Sequence, residues 1–416
     1  MNVLLFIGLV FSSPNDTLRL EQCYNEAVAA YPLSGQTRLY ENITQLKLKS
    51  LNAKFLPELS LTGQAAYQSE VTAVPIQLPT VSVPKPDKDA YQLTLNGNQL
   101  IFDFGSIAKQ KAIEESQKMV DQKSVEAELY KLRAQVNDAY FGLLLLQEQE
   151  KSLQLTEEDI RSKLAAIESR VKNGAILPSN ADILNAELLR VHQNRAEAAA
   201  NRKTLLTTLK TLLHRDVSDS VVLIVPDLRM QLTPVSAEKR PEYATFAWSQ
   251  KRLDRYVEWT SRRNLPKISA FGQYSYGQPG LNMYEKDFHT YYVVGLRATW
   301  NFWNWNTDGR DRQVFKLQQD IIRTQKESFT QNLTVAAEKL LSEMKKMETL
   351  IKLDQDIIAL RKKVTQQLSS QLDNGVVTSS EYLTELNSEH QARLTLEMHK
   401  LQWLRAQQDY LTTIGE

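Results

Sequence analysis

Cys23 is the only cysteine in the 416 residues, so no internal disulfide can form. Glu21-Gln22 before it lacks the small residues that a lipidated cysteine needs, which leaves Cys23 as a small apolar residue on a helix. No one sign of charge dominates: 50 Lys and Arg face 49 Asp and Glu, which removes the electrostatic footprint of a nucleic-acid binder. No internal apolar run reaches the roughly 18 residues of a membrane-spanning helix, and mean hydropathy is −0.40. That exclusion does not reach a membrane β-barrel, whose alternating strands barely raise hydropathy. There is no Gly-Lys-Ser/Thr phosphate loop and no H-E-x-x-H pair. His192, His214, His289, His390 and His399 show no ligand spacing and are expected at the surface, and the seven methionines are scattered. No enzyme, cofactor or metal site is expected.

Proline and glycine are missing where they matter most. Ser106 to Asn173 holds no proline and one glycine, Gly142. Along it runs an apolar series at spacings of three and four: Leu129, Leu132, Val136, Ala139, Leu143, Leu146, then Leu153, Ile160, Leu164, Ile167 and Val171. That is a helical seam close to a heptad repeat. Unbroken, such a helix would reach roughly 100 Å and must lean on partners throughout. Thr307 to Asn374 repeats the device, with the seam Leu333, Ala337, Leu340, Met344, Met347, Ile351 and the single glycine Gly309. Lys345-Lys346 between two of its seam positions reads as a solvated helix face. Each copy ends in Asn-Gly, at Asn173-Gly174 and Asn374-Gly375, where a left-handed helix stop is expected.

Met1 to Ser13 carries the apolar run Val3 to Phe11 and reads as a secretory signal peptide over 1–13; a short buried strand or helix is the alternative. Asn15 or Asp16 is placed to cap a first helix through Ala30, and Pro32 opens a second that ends near Phe55. From Pro57 the pattern switches to period two. Leu59, Leu61, Gly63, Ala65 and Tyr67 alternate with Ser60, Thr62, Gln64 and Ala66. Four prolines mark Thr72 to Lys88 as a loop, and a second strand runs from Tyr91 to Phe102-Asp103-Phe104-Gly105.

The pattern then recurs. Leu56-Pro57-Glu58-Leu59-Ser60 and Gly63-Gln64 return as Leu265-Pro266-Lys267-Ile268-Ser269 and Gly272-Gln273, an offset of 209 positions that falls to 201 after a shorter second loop. The organisation expected is a first repeat over 14–213 (β-hairpin 57–104, long helix 106–173, return helix 181–213) and a linker over 214–237. A second repeat follows over 238–416 (β-hairpin 266–303, long helix 307–374, return helix 379–413). Within the linker, Val221 to Val225 is strand-like. In the second hairpin Tyr292, Val294, Leu296, Ala298, Trp300 and Phe302 share one face. Phe102, Phe104, Trp300, Phe302, Trp303 and Trp305 cluster at the strand-to-helix junctions, as the aromatic girdles of membrane barrels do. The other reading of these rings is the core of a soluble protein.

Four strands of about ten residues cannot close a membrane barrel, which starts at about eight, and open edges are not tolerated in lipid. Identical copies must therefore share one barrel, a trimer supplying about twelve strands. The order and spacing of these elements resemble the TolC-like outer membrane efflux protein family. The residues that carry the resemblance are Thr17-Leu18-Arg19-Leu20-Glu21, Phe102-Asp103-x-Gly105, Arg240-Pro241-Glu242 and Tyr410-Leu411-x-x-Ile414-Gly415. Asn304 and Asn306 depart from the pattern at the second junction, where Asp and Gly stand in the first.

The resemblance implies a mainly α chain with a small β part, duplicated internally, with four long helical elements and four transmembrane strands. The assembly would be a homotrimer, an α-barrel plus a 12-stranded β-barrel, in the outer membrane of a Gram-negative bacterium and extending into the periplasm. It would be the exit duct for small molecules (drugs, toxic compounds or metals) from an inner-membrane pump joined by a periplasmic adaptor. Outer membrane lipid would be the remaining partner, and nucleic acid none. Protein secretion of type I is the alternative export role, and a soluble periplasmic coiled-coil scaffold the alternative of another class. The family's adaptor-docking tips fall on Asn173, Gly174, Ala175 and on Asn374, Gly375, Val376. Its constricting carboxylate aligns with Glu381, which also reads as an N-terminal helix residue placed for the dipole. Asp182 and Asp373 are further gate candidates. Thr384 and Val377 stand where the family has a second acid and an arginine, so a charge-pair latch is not expected.

Overall fold

The structure is a computed structural model that describes residues 17–72, 85–227 and 239–416. The segment read as a signal peptide, Asn15, Asp16 and most of the first proline-rich loop lie outside the described residues. In chain order the elements are β1 (Thr17–Leu18), α1 (Leu20–Ala30), a 3-10 turn (Pro32–Gly35), α2 (Gln36–Ala53), β2 (Glu58–Tyr67), β3 (Asp89–Phe102), α3 (Ser106–Tyr130), α4 (Leu132–Lys172) and α5 (Ser179–Leu213). They continue with β4 (Val222–Leu223), α6 (Pro241–Thr260), β5 (Lys267–Gln278), β6 (His289–Thr299), α7 (Thr307–Asp373) and α8 (Ser379–Ile414). Two compact units result. One takes the segments up to Gln36, Ser124–Tyr243 and Glu327–Glu416; the other takes Thr37–Lys123 and Ala244–Lys326. Each unit draws on both duplicated halves.

The helical unit is held by α4 against α5 and α8. Val136, Ala139, Tyr140, Leu143 and Leu144 on α4 meet Leu206, Leu209 and Leu213 on α5, and Leu401 joins from α8. Leu143, Leu144, Leu206 and Leu209 are at most 2 % exposed, each contributing roughly 1.5–3 kcal/mol relative to an exposed side chain. Gly142 is the one glycine here for a packing reason: a Cβ on it would stand 2.8 Å from Leu205 Cδ1. The long helix read over 106–173 is in fact interrupted at Lys131. The Lys131 N–H donates to Glu128 O at 3.2 Å and the Ala134 N–H to Lys131 O at 3.2 Å, the i→i+3 spacing of a tightened turn. By contrast α7 is continuous over 67 residues.

The first helix begins later than its cap residues suggested. Arg19 is its N-cap, without a side-chain bond, because Thr17 and Leu18 are drawn into a parallel pair with Val222 and Leu223. The strand-like linker run thus finds a partner at the other end of the first repeat. Tyr140 closes this joint: its buried hydroxyl lies 2.8 Å from Leu18 O and 2.7 Å from Ile224 O, donating to one at a time. Burial pushes that phenol well above its usual pKa. Two histidines expected at the surface are drawn inward. The side chain of His390 is only 13 % exposed and 3.1 Å from Asp159, and His399 Nδ1 lies 2.6 Å from Asp354 Oδ2. Their helix faces pack against α4 and α7, which sequence spacing alone does not reveal.

In the second unit the strands form one antiparallel sheet in the order β2-β3-β5-β6. The helices keep the same order beside them. Lys47 on α2 pairs with Glu114 on α3 at 2.8 Å, Lys109 on α3 with Glu258 on α6 at 2.7 Å, and Arg263, just after α6, with Asp311 on α7 at 2.5 Å. Tyr256 and Phe315 stack between α6 and α7 at 5.1 Å. Strand β6 ends at Thr299, so Trp300 and Phe302, expected on the strand, follow it.

Candidate functional site

The sheet has two unlike faces, and its register shows why. Leu61 pairs with Leu95, Leu95 with Tyr274 and Tyr274 with Tyr292 across all four strands. These side chains are 44 to 69 % exposed, and their neighbours Leu59, Leu93, Tyr276, Val294 and Leu296 are exposed too. The alternate positions carry polar groups that satisfy one another. Thr94 and Ser275 are buried and joined by their hydroxyls at 2.9 Å. Gln92 Nε2 donates to Tyr291 Oη at 2.6 Å, Asn96 Nδ2 to Thr62 Oγ1 at 3.3 Å, and Gln273 Nε2 to Asn96 Oδ1 at 3.1 Å. A water-soluble sheet places its apolar face inside; here the apolar face is the open one. The outer edges of β2 and β6 carry no partner strand within the described sheet.

Both strand-to-helix junctions turn through the left-handed region. Phe104 and Gly105 have φ of 51° and 83°, and Trp305 and Asn306 have 53° and 57°. Asn306 therefore occupies the position of Gly105, and its departure from the pattern keeps the geometry, since asparagine tolerates this backbone better than most residues. Asp103 caps α3, accepting from Gly105 N at 3.0 Å and from Ile107 N at 2.5 Å. At the second junction Asn304 instead donates to Asp308 Oδ2 at 2.8 Å. The six aromatic side chains singled out here, Phe102, Phe104, Trp300, Phe302, Trp303 and Trp305, are 39 to 78 % exposed. Phe102 meets Phe104 edge-on at 4.6 Å, and Trp303 meets Trp305 at 5.7 Å.

The two helical hairpins of the first unit end alike. Gly174 has φ of 69° and Gly375 of 73°. Ala175 N donates to Arg170 O at 2.9 Å and Gly174 N to Val171 O at 3.0 Å; Val376 N donates to Gln371 O at 2.9 Å and Gly375 N to Leu372 O at 3.0 Å. This is the paired-bond helix stop expected for Asn-Gly. Asn173, Gly174, Ala175, Asn374, Gly375 and Val376 are all exposed. Beneath them Ile160, Ile167, Leu184, Leu372, Tyr382 and Leu386 form a small core, with Val377 against it.

Glu381 sits in a capping box. Its carboxylate accepts from Thr378 N at 2.8 Å and Thr378 Oγ1 at 3.0 Å, while Thr378 Oγ1 accepts from Glu381 N at 3.3 Å. The Thr378 backbone N–H holds its pKa below the usual carboxylate value. Asp182 is exposed in the first turn of α5. Asp373 is paired: Lys163 Nζ on α4 lies 2.9 Å from its carboxylate and donates to Ser369 Oγ at 2.8 Å. A charge pair between the hairpins is therefore present through Lys163, a residue the sequence reading did not single out, and not at the Val377 and Thr384 positions of the family's latch. Further ties join the hairpins. Arg170 Nη1 donates to Leu372 O at 3.3 Å, Ser379 N to Asn180 Oδ1 at 3.0 Å, and Asn387 Nδ2 to Glu187 Oε1 at 3.0 Å. Lys163 adjoins the seam residues Ile160, Leu164 and Ile167, the flank where a lysine stem covers apolar surface and its head reaches a neighbour. Above these ties a groove of about 740 Å³, lined by Asp159, Tyr382, Leu386, His390 and Arg393 among others, runs between α4, α7 and α8.

Residues 26–214 match the family model for outer membrane efflux proteins. Among solved structures, the chain is similar throughout to CusC, a protein that forms a transmembrane channel (TM-score 0.69, 14 % identity, 98 % of this chain and 95 % of that one). It is similar also to the CmeC outer membrane channel of Campylobacter jejuni (TM-score 0.66, 16 % identity, 95 % and 85 % covered). The MtrE outer membrane channel of Neisseria gonorrhoeae gives TM-score 0.66 and 16 % identity, with 95 % and 89 % covered. No curated protein matches the sequence closely enough to count as a relative. The chain thus has the fold of TolC-like outer membrane channels over its whole length, and the family signature over its first half.

Proposed function

We propose that the chain is one subunit of a homotrimeric efflux channel of a Gram-negative outer membrane. Its four strands and those of two further copies would close a 12-stranded barrel in lipid, with the helices forming an α-barrel in the periplasm. Small molecules such as drugs, toxic compounds or metals would pass through it from an inner-membrane pump, joined by a periplasmic adaptor. The observation that carries this reading is the four-stranded sheet with an exposed apolar face and two unpaired edges. An open edge is not viable in hydrocarbon, so copies must supply the missing strands. Phe102, Phe104, Trp300, Phe302, Trp303 and Trp305 would then sit at the membrane interface.

In this reading Asn173, Gly174, Ala175 and Asn374, Gly375, Val376 present the adaptor-docking surface. Asp182, Asp373 and Glu381 lie at the gated end, where Glu381 would add charge while it caps its helix and the Lys163–Asp373 pair would hold the hairpins together. The test is the protein extracted from outer membranes in detergent. A heat-modifiable trimer that forms ion-conducting pores in a planar bilayer is the expected result. A monomer released by buffer alone would end the proposal.

A further inference from the structure

Full charges are scarce on the polar face of the sheet. Along the four strands that face carries Glu58 at the start of β2, Lys267 at the start of β5 and Arg297 near the end of β6. His289 lies at the far end of β6, and Asp89, opposite Tyr67, falls on the apolar face. Ser269 pairs with Arg297 and Lys267 with Thr299, so the two cations are diagonal neighbours at the end of the sheet that joins the helices.

Arg297 is exposed, and nothing neutralises it. Among the described residues no carboxylate pairs with it and no acceptor takes its N–H groups. Other arginines of the same unit are paired: Arg255 with Glu258 at 3.0 Å and Arg263 with Asp308 at 2.6 Å. Glu58 stands in the row Glu58, Asn98, Phe271, Gly295. It is three strands from β6 within the copy, roughly 14 Å away.

What Arg297 has is a backing. Its guanidinium carbon lies 4.8 Å from the centre of the Phe271 ring. Phe271 is paired with Gly295 across the strands, and a Cβ on Gly295 would stand 3.0 Å from Cε1 and Cζ of that ring. Glycine at 295 thus leaves the ring room to lean across β6. The ring engages the face of the guanidinium. Its N–H donors lie in the plane of the fork, free for an acceptor that the chain does not supply. Such a fork matches the two oxygens of a carboxylate.

We propose that Arg297, backed by Phe271, is an oxyanion-binding position on the pore wall that favours carboxylate-bearing solutes over cations. The site depends on the channel proposed above, in which the polar face lines the lumen and three copies set three guanidinium groups at one height. Twelve strands spaced by roughly 4.8 Å and tilted by about 40° give a backbone radius of roughly 12 Å. The screening length at about 0.1 M salt is roughly 10 Å. A ring of three cations therefore acts across most of the lumen, as rings of Arg or Lys do in anion pores.

The test uses full-length trimers, purified in detergent and placed in a planar bilayer. Reversal potentials in gradients of potassium chloride and of potassium benzoate give the anion-to-cation permeability ratios. At about 0.1 M salt, Arg297→Gln is expected to lower both ratios by roughly threefold or more. Arg297→Lys keeps the charge and loses the fork, so its chloride ratio should stay near that of the unmodified protein while its benzoate ratio falls. The Arg297→Gln effect should shrink at about 1 M salt, where screening cuts the range to roughly 3 Å. Should Arg297→Gln fail to assemble, the benzoate ratio of Arg297→Lys decides alone. Conducting trimers with the same ratios in Arg297→Gln overturn the site and leave the channel standing. An unchanged benzoate ratio in Arg297→Lys also overturns the carboxylate site. Protein that forms no pores overturns the site and the channel together.

Discussion

Lys163 on α4 and Asp373 on α7 meet at 2.9 Å, and the lysine is the more buried partner, with 11 % of its side chain exposed against 44 %. The same ammonium lies 5.3 Å from the centre of the Tyr382 ring on α8. One side chain therefore ties both helices of the second hairpin to the first. Lys163→Met keeps the apolar stem and deletes the charge. It is expected to raise single-channel conductance severalfold and to lower stability by about 1 kcal/mol, a typical value for a partly exposed pair. Asp373→Asn should do much the same, and the double variant should add little, because coupled partners are not additive. Unchanged conductance in all three would remove the pair from any gating role.

The limits of the sequence reading follow from the same pair. Lys163 and Asp373 lie far apart in the chain, and nothing local to either marks the other. Features set by local pattern were legible. Asn173-Gly174 and Asn374-Gly375 announce their helix stops, and Leu59, Leu61 and Tyr67 announce a strand by alternation. Features set by distant packing were not. The Thr17–Leu18 pair with Val222–Leu223 is two residues long on each side, too short to show a period, so the first helix seemed to start earlier than Leu20. His390 looked like a surface residue because its burial depends on α4, which returns from the other repeat. The break at Lys131 carries no proline or glycine to signal it.

Acid should weaken the first hairpin through Glu157. Its carboxylate accepts from Arg161 Nη2 at 2.7 Å, from Arg195, and lies 3.2 Å from His192 Nε2. These partners, Arg161 foremost, hold its pKa down to about 2, from 4.5. A depressed carboxylate stabilises the fold above its unfolded value, and that contribution is lost as pH falls from 4.5 toward 2. The midpoint of thermal unfolding should therefore drop through this window. Glu157→Gln should lower the midpoint at pH 7 and make the drop on acidification smaller. An identical acid response in the variant would show that other carboxylates govern it.

The second strand-to-helix junction offers a double-mutant test. Asn306 has φ of 57°, and a Cβ on Gly309 would stand 2.2 Å from Asn306 Oδ1. Gly309→Ala alone is expected to push the exposed Asn306 amide aside and destabilise by about 0.5–1.5 kcal/mol, the cost of an off-rotamer side chain. Asn306→Gly removes the obstructing amide and supplies a residue at ease in the left-handed region. In that background Gly309→Ala should become neutral or stabilise by up to about 1 kcal/mol, the helix preference of alanine over glycine. Chemical denaturation of the four proteins measures the coupling, and additivity would show that the amide does not restrain Gly309.

Two adjacent residues separate the faces of the sheet. Leu61 is 68 % exposed on the apolar face, while Thr62, the next residue, accepts a hydrogen bond from Asn96 Nδ2 on the polar face. If the apolar face meets lipid, Leu61→Arg places a charge in hydrocarbon at mid-strand, at a cost of about 2–4 kcal/mol per copy near the bilayer midplane. Three copies in one barrel should then cut the yield of outer-membrane trimer at least tenfold. In that same arrangement Thr62→Arg would point into the water-filled side, so the yield should stay near that of the unmodified protein while ion preference shifts toward anions. Yield is read from heat-modifiable trimer in membranes, and preference from reversal potentials in a salt gradient. The opposite ranking, with Leu61→Arg tolerated and Thr62→Arg lost, would turn the sheet inside out and take the pore with it.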